Sequence, residues 1–349
     1  MTGPAAYRLT SQCISAPAFK TAKEIVSHMG AIQAQDYAMA KWAIALRLKN
    51  HTDGHIEKAI DNAEIIRTHI LRPTWHFVSA ADVRWMLKLS APHILKISAS
   101  YNKRAGLDNK TLSKANSIIE KILEHKQLTR QEIMNELNKK NIRTDEFRSI
   151  HIMFNAELNG IVCNGSRREK QFTYALLDER VPNGKTYSRE ESLAELAKRY
   201  FTSHGPATVD DFKWWSGLTG ADSKKALESV KQLFIMKKIA DKEYWFSKNL
   251  KPFNKESLYF LPAFDEFMVS YKERSASISK EHFNAAMTGN GIFKPIIVKN
   301  GKVIGIWKRT IKRNDTKIDC TFFNPKLKLS KKEIEKATEP YRKFLDLKN

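Results

Sequence analysis

Three times along its 349 residues the chain repeats one order of segments: short helix-forming stretches, then two β-branched, aromatic runs joined by a turn. In the first pass, residues 19–32 (FKTAKEIVSHMGAI) carry Ile25, Met29 and Ile32 at helical spacing with Val26 beside them. Residues 38–49 form a second helical stretch, and TDGHIEKAIDNAEI, opening with the cap-like Thr52 and Asp53, forms a third. IIRTHILRPTWHFVS, punctuated by Arg72-Pro73, reads as a hairpin. Residues 80–107 read as bridging helices. The second pass has a helix over 111–125, then LTRQEIMNEL, in which Thr129 and Glu132 are spaced as a capping box. A further helix over about 145–158 precedes IVCNGSRREKQFTYALL, a strand, a basic turn and a strand. The third pass runs through SREESLAELAKRYFTSHG, TVDDFKWWSGL and GADSKKALESVKQL to the hairpin FIMKKIADKEYWF.

Three short helices followed by a hairpin is the order of a winged helix, and the repeat is too long and loose for a solenoid. From about residue 257 the texture turns strand-like, with Asn300-Gly301 between alternating apolar runs as a hairpin turn signal. A helical stretch, SKKEIEKATEPYRKFLDL, closes the chain. The expected architecture is α+β: three tandem winged-helix domains followed by a C-terminal β-barrel-like domain. The boundaries fall at 1–107 (with the bridging helices), 108–187, 188–252 and 253–349.

Charge narrows the partner. Sixty Lys and Arg stand against 38 Asp and Glu, a net +22, which raises the local concentration of polyanions. Each neutralised phosphate of a nucleic acid also releases counterions, and winged helices ordinarily dock on a duplex. Double-stranded DNA is the expected partner and a membrane is not. Cys13, Cys163 and Cys320 lie far apart with no CxxC, which argues against a disulfide framework and a cysteine-rich zinc site. His51 and His55 have ligand-like i,i+4 spacing but straddle a Thr-Asp-Gly turn with no third ligand nearby, so neither a metal nor a cofactor is expected. With widely spaced cysteines, and no charged n-region leading into an apolar h-region at the N-terminus, a reduced, cytoplasmic and nucleoid-associated protein is expected.

Several residues carry two readings. The turn Ser166-Arg167-Arg168-Glu169-Lys170 either grips DNA or is a solvated turn. His76 shares a strand face with Thr74 and Val78, where it lines a site or serves as a hydrogen-bonded structural histidine. Trp214 and Trp215 cannot face the same way on one short helix, so at least one belongs to the core. Asp265 and Glu266 are adjacent and point apart in a strand, which weakens a paired-carboxylate site and favours ion pairing inside the barrel. Lys299, Lys302, Lys308, Arg309, Lys312 and Arg313 are expected on one basic face of the C-terminal domain.

The sharpest signal is Gln33-Ala34-Gln35, which follows Gly30 and lies between two helical stretches. On a helix residues i and i+2 point about 200° apart, whereas in an extended stretch they share a side. Both amides then project together while Ala34, and by alternation Asp36, face the protein. A neutral amide pair positions a water molecule or reads a base edge; two solvated glutamines at a helix end is the other reading.

The stretches LTSQ, GAIQAQD, LRPTWHFV, GPATVDDFKWWSGL, LPAFDEFMVSYKERS and NGIFKPIIVKNGKVIGIWKRT span nearly the whole chain in order. With them the sequence resembles the winged-helix bacterial DNA glycosylases of the AlkZ type. The resemblance implies excision of alkylated purines, such as 7-methylguanine, by a monofunctional enzyme, with interstrand cross-links as further substrates. It implies Gln33 and Gln35 as the catalytic pair, the family's Gln-Φ-Gln, and a β-hairpin that enters the minor groove, for which the Ser166–Lys170 turn is one candidate. The expected DNA contacts are Arg72 and His76, then Arg167, Arg168 and Lys170, then Lys308, Arg309, Lys312 and Arg313. Many relatives are known only as winged-helix DNA-binding proteins, so the alternative is a non-catalytic DNA-binding protein such as a transcriptional regulator.

Overall fold

Local sequence decides where the helices begin and end. In the computed structural model, which describes residues 3–145, 147–253, 256–311 and 315–346, the capping box read from Thr129 and Glu132 is present in both directions. Two more boxes, Thr21 with Glu24 and Thr208 with Asp211, open the helices Ala22–Met29 and Val209–Ser216. Each box satisfies orphan N–H groups at a helix start. The first of these helices is shorter than the apolar periodicity suggests because Gly30 leaves it at φ +77°, a conformation costly for any residue with a Cβ.

The segment order read from the sequence is present as elements. Helices Ala22–Met29, Tyr37–Ala45 and Asp53–Asp61 precede a hairpin of Ile65–His69 and Trp75–Ser79. Helices Asn109–Leu123, Arg130–Lys139 and Arg148–Leu158 precede Val162–Asn164 and Thr173–Leu176. Helices Arg189–Ser203, Val209–Ser216 and Gly220–Val230 precede Phe234–Ile239 and Lys242–Ser247. The expected bridging region is one 22-residue helix, Val83–Arg104, with Pro92 inside it. No described helix is long and apolar enough to cross a membrane.

The chain divides into two compact units. One is made of residues 58–192 and holds the first two hairpins and an apolar core that includes Leu112, Ile119, Ile133 and Ile152. The other joins residues 1–57 to residues 193–349. Its core includes Leu9, Leu261, Phe267, Ile296 and Val298.

That second unit contains a four-stranded antiparallel sheet in the order Thr316–Phe322, Lys302–Ile311, Ile296–Lys299, Leu258–Leu261. Asn300 and Gly301 both take positive φ and join Lys299 to Lys302, the tight turn that Asn-Gly prescribes. The sheet is open, which corrects the expected barrel. Leu258–Leu261 is only four residues long and pairs with Ile296–Lys299, and among the described residues nothing joins it to Thr316–Phe322. Aromatic packing from helices covers the sheet in place of closure. Tyr341, from the helix Lys331–Leu345, meets Trp42 and Trp307, each with ring centroids 5.2 Å apart, and the Trp42 indole N–H donates to the Phe260 carbonyl. The expected basic face is present only in part among the described residues: Lys299 pairs with Lys302, and Lys302 and Lys308 fall on one side of the sheet, whereas Arg309 falls on the other. Successive strand residues point to opposite sides, so Lys308 and Arg309 cannot share one. Lys312 and Arg313 lie outside the described residues.

Candidate active site

The Gln33–Gln35 segment is fixed from both ends. A Cβ on Gly30 would stand 3.2 Å from the buried Trp215 ring, so the chain passes this point closely only as glycine. At the other end Asp36 is the N-cap of Tyr37–Ala45, its carboxylate accepting the Met39 N–H at 3.1 Å. That commits Asp36 to a helix start. Between these stops the chain is not helical: Ile32–Gln33 is a short strand, Ala34 is fully buried and Gln35 is exposed. Gln33 retains 8% exposure, so the two glutamines differ sharply in how open they are.

Behind Gln33 lies a carboxylate. The Gln33 N–H donates to Glu266 Oε1 at 2.6 Å. The Ser270 hydroxyl donates to Glu266 Oε2, and His204 Nε2 stands 3.6 Å from the same oxygen. Glu266 is wholly buried. Burial alone would raise its pKa, but His204, Ser270 and the Gln33 N–H outweigh it and hold the carboxyl down at about 2. Burial pushes His204 below its usual value.

The adjacent Asp265 turns the other way. It caps the short helix Glu266–Val269 and takes the Arg47 guanidinium with both oxygens, each at 2.9 Å. Arg47 also donates to the side-chain and backbone oxygens of Gln12 and to the Ala43 carbonyl. The Gln12 amide donates to the Tyr271 hydroxyl, which donates to the His204 carbonyl. Arg8 stacks on Tyr271 at 3.5 Å and donates to the Pro206 carbonyl. One buried polar network thus ties residues of LTSQ, GAIQAQD, GPATVDDF and LPAFDEFMVSY together and reaches the glutamine segment at the Gln33 backbone. Outside it, Trp215 is core while Trp214 keeps 43% exposure.

Within residues 58–192 one expected DNA contact, Arg167, lies in a row of rings and guanidinium groups that the sequence does not single out. Arg67 is flanked by the Trp75 and Phe172 rings at 4.2 and 5.1 Å, and Arg167 stands 5.6 Å from Phe172. Trp75 in turn packs on His69, whose Nδ1 lies 2.6 Å from Glu157. Phe172 is 41% exposed. Arg168 is engaged with Glu132 at 2.8 Å and with the Gln127 carbonyl, while Lys170 is exposed. Arg72 is half-buried, and His76 is buried with Nδ1 2.9 Å from the Thr74 carbonyl. In the other unit Lys308 is exposed and Arg309 half-buried. His51 Nδ1 pairs with the Lys49 carbonyl and His55 Nδ1 accepts the Thr52 N–H. Among the described residues no three His, Cys, Asp or Glu side chains are grouped to hold a metal.

The family model for the AlkZ-like DNA glycosylases matches residues 26–344. The chain belongs to that family. Its substrate is therefore DNA. The chain is 21% identical, over 95% of its length and 92% of the relative's, to an interstrand DNA cross-link repair glycosylase of Streptomyces sahachiroi. The solved structure of Streptomyces sahachiroi DNA glycosylase AlkZ superposes with a TM-score of 0.83 at 19% identity, covering 98% of this chain and 96% of that one.

For an AlkZ-like glycosylase the residues that the sequence alone does not single out are Arg8, Arg47 and His204. Each is buried and charged or titratable. Their signal is a cationic or titratable residue inside otherwise apolar helical stretches, where an unpaired charge is expensive. In sequence Glu266 reads only as half of a weak carboxylate pair.

Proposed function

We propose that this glycosylase hydrolyses the N-glycosidic bond of cationic alkylated purines, such as 7-methylguanine, and unhooks interstrand cross-links built on the same chemistry. The observation that carries the reading is the non-helical stretch between Gly30 and Asp36. There Gln33 and Gln35 flank a fully buried Ala34 and the Gln33 backbone is anchored by Glu266. The cross-link part leans on the Streptomyces sahachiroi relative, an interstrand DNA cross-link repair glycosylase.

An N7-alkylated purine already bears positive charge, so it leaves as a neutral base without an acid catalyst. The remaining task is to hold a water against the anomeric carbon of an oxocarbenium-like sugar, a proximity effect. Amide oxygens of Gln33 and Gln35 accept the water's hydrogens and aim its lone pair. The C1′–N9 bond breaks as the C1′–O bond forms, and the surplus proton passes to solvent. Neutral amides are weak bases, so uncharged lesions and undamaged purines are poor substrates. The three helix-and-hairpin sets act as tandem winged helices on the duplex. Arg72, His76, Arg167, Arg168, Lys170, Lys308, Arg309, Lys312 and Arg313 supply contacts to DNA, and the enzyme works as a monomer.

The test is a duplex with a single 7-methylguanine, incubated with the full chain and then cleaved at abasic sites with alkali. Strand breaks are expected from the wild type and are lost in Gln33→Ala and Gln35→Ala. Tight, sequence-selective binding with no abasic product instead identifies a DNA-binding regulator.

A further inference from the structure

We infer that Glu266 is the counter-charge of this site, a positioning residue that fixes the Gln33 backbone and supplies from beneath it the negative charge that the two amides lack. The inference rests on Gln33 and Gln35 being the catalytic pair.

An isolated carboxylate is among the costliest groups to bury, and such groups are retained where they are paired or used. Glu266 is fully buried. Its nearby guanidinium, Arg47, is already taken by both oxygens of Asp265. What holds Glu266 is a set of neutral donors: the Gln33 N–H at 2.6 Å and the Ser270 hydroxyl. His204 faces Oε2 at 3.6 Å, and burial disfavours its charged form. The Ser270 carbonyl accepts from the Tyr200 hydroxyl at 2.9 Å, and Tyr200 stacks on His204 with ring centroids 4.8 Å apart, so the carboxylate's partners are themselves braced. The result is a preorganised negative charge one hydrogen bond from the backbone of the first catalytic glutamine.

Excision moves positive charge from the departing base onto the sugar. A fixed anion in a water-poor surrounding favours that migration without reorganisation at the moment of reaction. The glutamines place the water, and Glu266 compensates for their neutrality. This separates two jobs that one carboxylate beside the sugar would combine, and keeps the ionised group out of solvent.

The experiment is single-turnover release of 7-methylguanine from a duplex by the full-length enzyme in excess, with the dissociation constant for undamaged duplex measured in parallel. Glu266→Gln retains an acceptor for the Gln33 N–H and removes the charge. Its rate is expected to fall about 10- to 100-fold, less than the roughly 100- to 1,000-fold cost of losing a group that itself touches the reacting atoms because Glu266 acts through the Gln33 backbone, with duplex affinity within twofold. Glu266→Asp retains the charge on a shorter arm and is expected to fall between the two. A Glu266→Gln rate within twofold of wild type, while Gln33→Ala and Gln35→Ala are inactive, overturns the inference and leaves the catalytic pair standing. Wild-type enzyme that releases no base overturns the catalytic pair and the inference with it. If Glu266→Gln does not fold, Ser270→Ala is measured in its place. It removes one donor from the same carboxylate, a drop of severalfold is expected, and an unchanged rate overturns the inference.

Discussion

Asp265 holds the Arg47 guanidinium through both carboxylate oxygens, each at 2.9 Å, with both side chains wholly out of solvent. The pair joins the turn that follows the helix Tyr37–Ala45 to the Leu261–Ser275 motif, one residue before Glu266. Removing one partner of a buried pair leaves an uncompensated charge, at a cost of about 3–5 kcal/mol. Asp265→Ala is therefore expected to lose that much stability in urea unfolding, while replacing both partners, as in Asp265→Leu with Arg47→Met, recovers much of it.

Asp36 invites a catalytic reading, since it is the carboxylate nearest the glutamines in sequence. Its side chain instead accepts the Met39 N–H at the start of a helix. Asp36→Ser, which keeps a capping oxygen, is expected to retain both stability and excision rate. Asp36→Ala is expected to lose about 1 kcal/mol, the ordinary cost of a missing cap, with the single-turnover rate within a few fold. A 100-fold loss of rate in the serine variant would place Asp36 in the chemistry.

The row Trp75, Arg67, Phe172, Arg167 alternates rings and guanidinium groups. A guanidinium stacked on a ring presents positive charge that attracts a phosphate. Arg167→Ala is expected to weaken binding to any duplex and to make the slope of log K against log salt shallower by about one for each phosphate the guanidinium neutralises. Phe172→Ala, at a half-open position, is expected to weaken affinity with little effect on thermal stability. Fluorescence anisotropy at several salt concentrations reads both.

Much of the chain's order is legible because it is written locally. Caps such as Thr129 with Glu132, stops such as Gly30 and turns such as Asn300-Gly301 depend on residues a few positions apart. The glutamine pair is legible for the same reason: i,i+2 spacing between two helical stretches. The pairing of Gln33 with Glu266 is not, because it links residues 233 positions apart, and no periodicity encodes a long-range hydrogen bond. The barrel expectation fails on a related point. Alternation marks strands, but closure depends on whether the outer strands meet, and here helix-borne Tyr341 and Trp42 cover the sheet instead. Lys308 and Arg309 show that a run of cations in sequence is not a face in space.

Acid should destabilise the protein in two stages. His28 and His204 are both pushed by burial below their ordinary 6.5, with the His28 Nε2 against the Ser11 carbonyl at 3.0 Å. The folded form then binds fewer protons than the unfolded chain, so this contribution is complete above pH 6.5 and declines as pH falls below it. Glu266, held at about 2 against an ordinary 4.5, contributes fully above 4.5 and loses its share only between 4.5 and about 2. Urea unfolding measured from pH 8 to pH 4 is expected to be flat above 6.5 and to fall between 6.5 and 5, before the carboxylates titrate. His28→Gln keeps an N–H donor for the Ser11 carbonyl and cannot take a proton. It is expected to flatten the fall between pH 6.5 and 5 while leaving the deeper loss near pH 4 unchanged. An unaltered slope in that variant would remove His28 from the acid response.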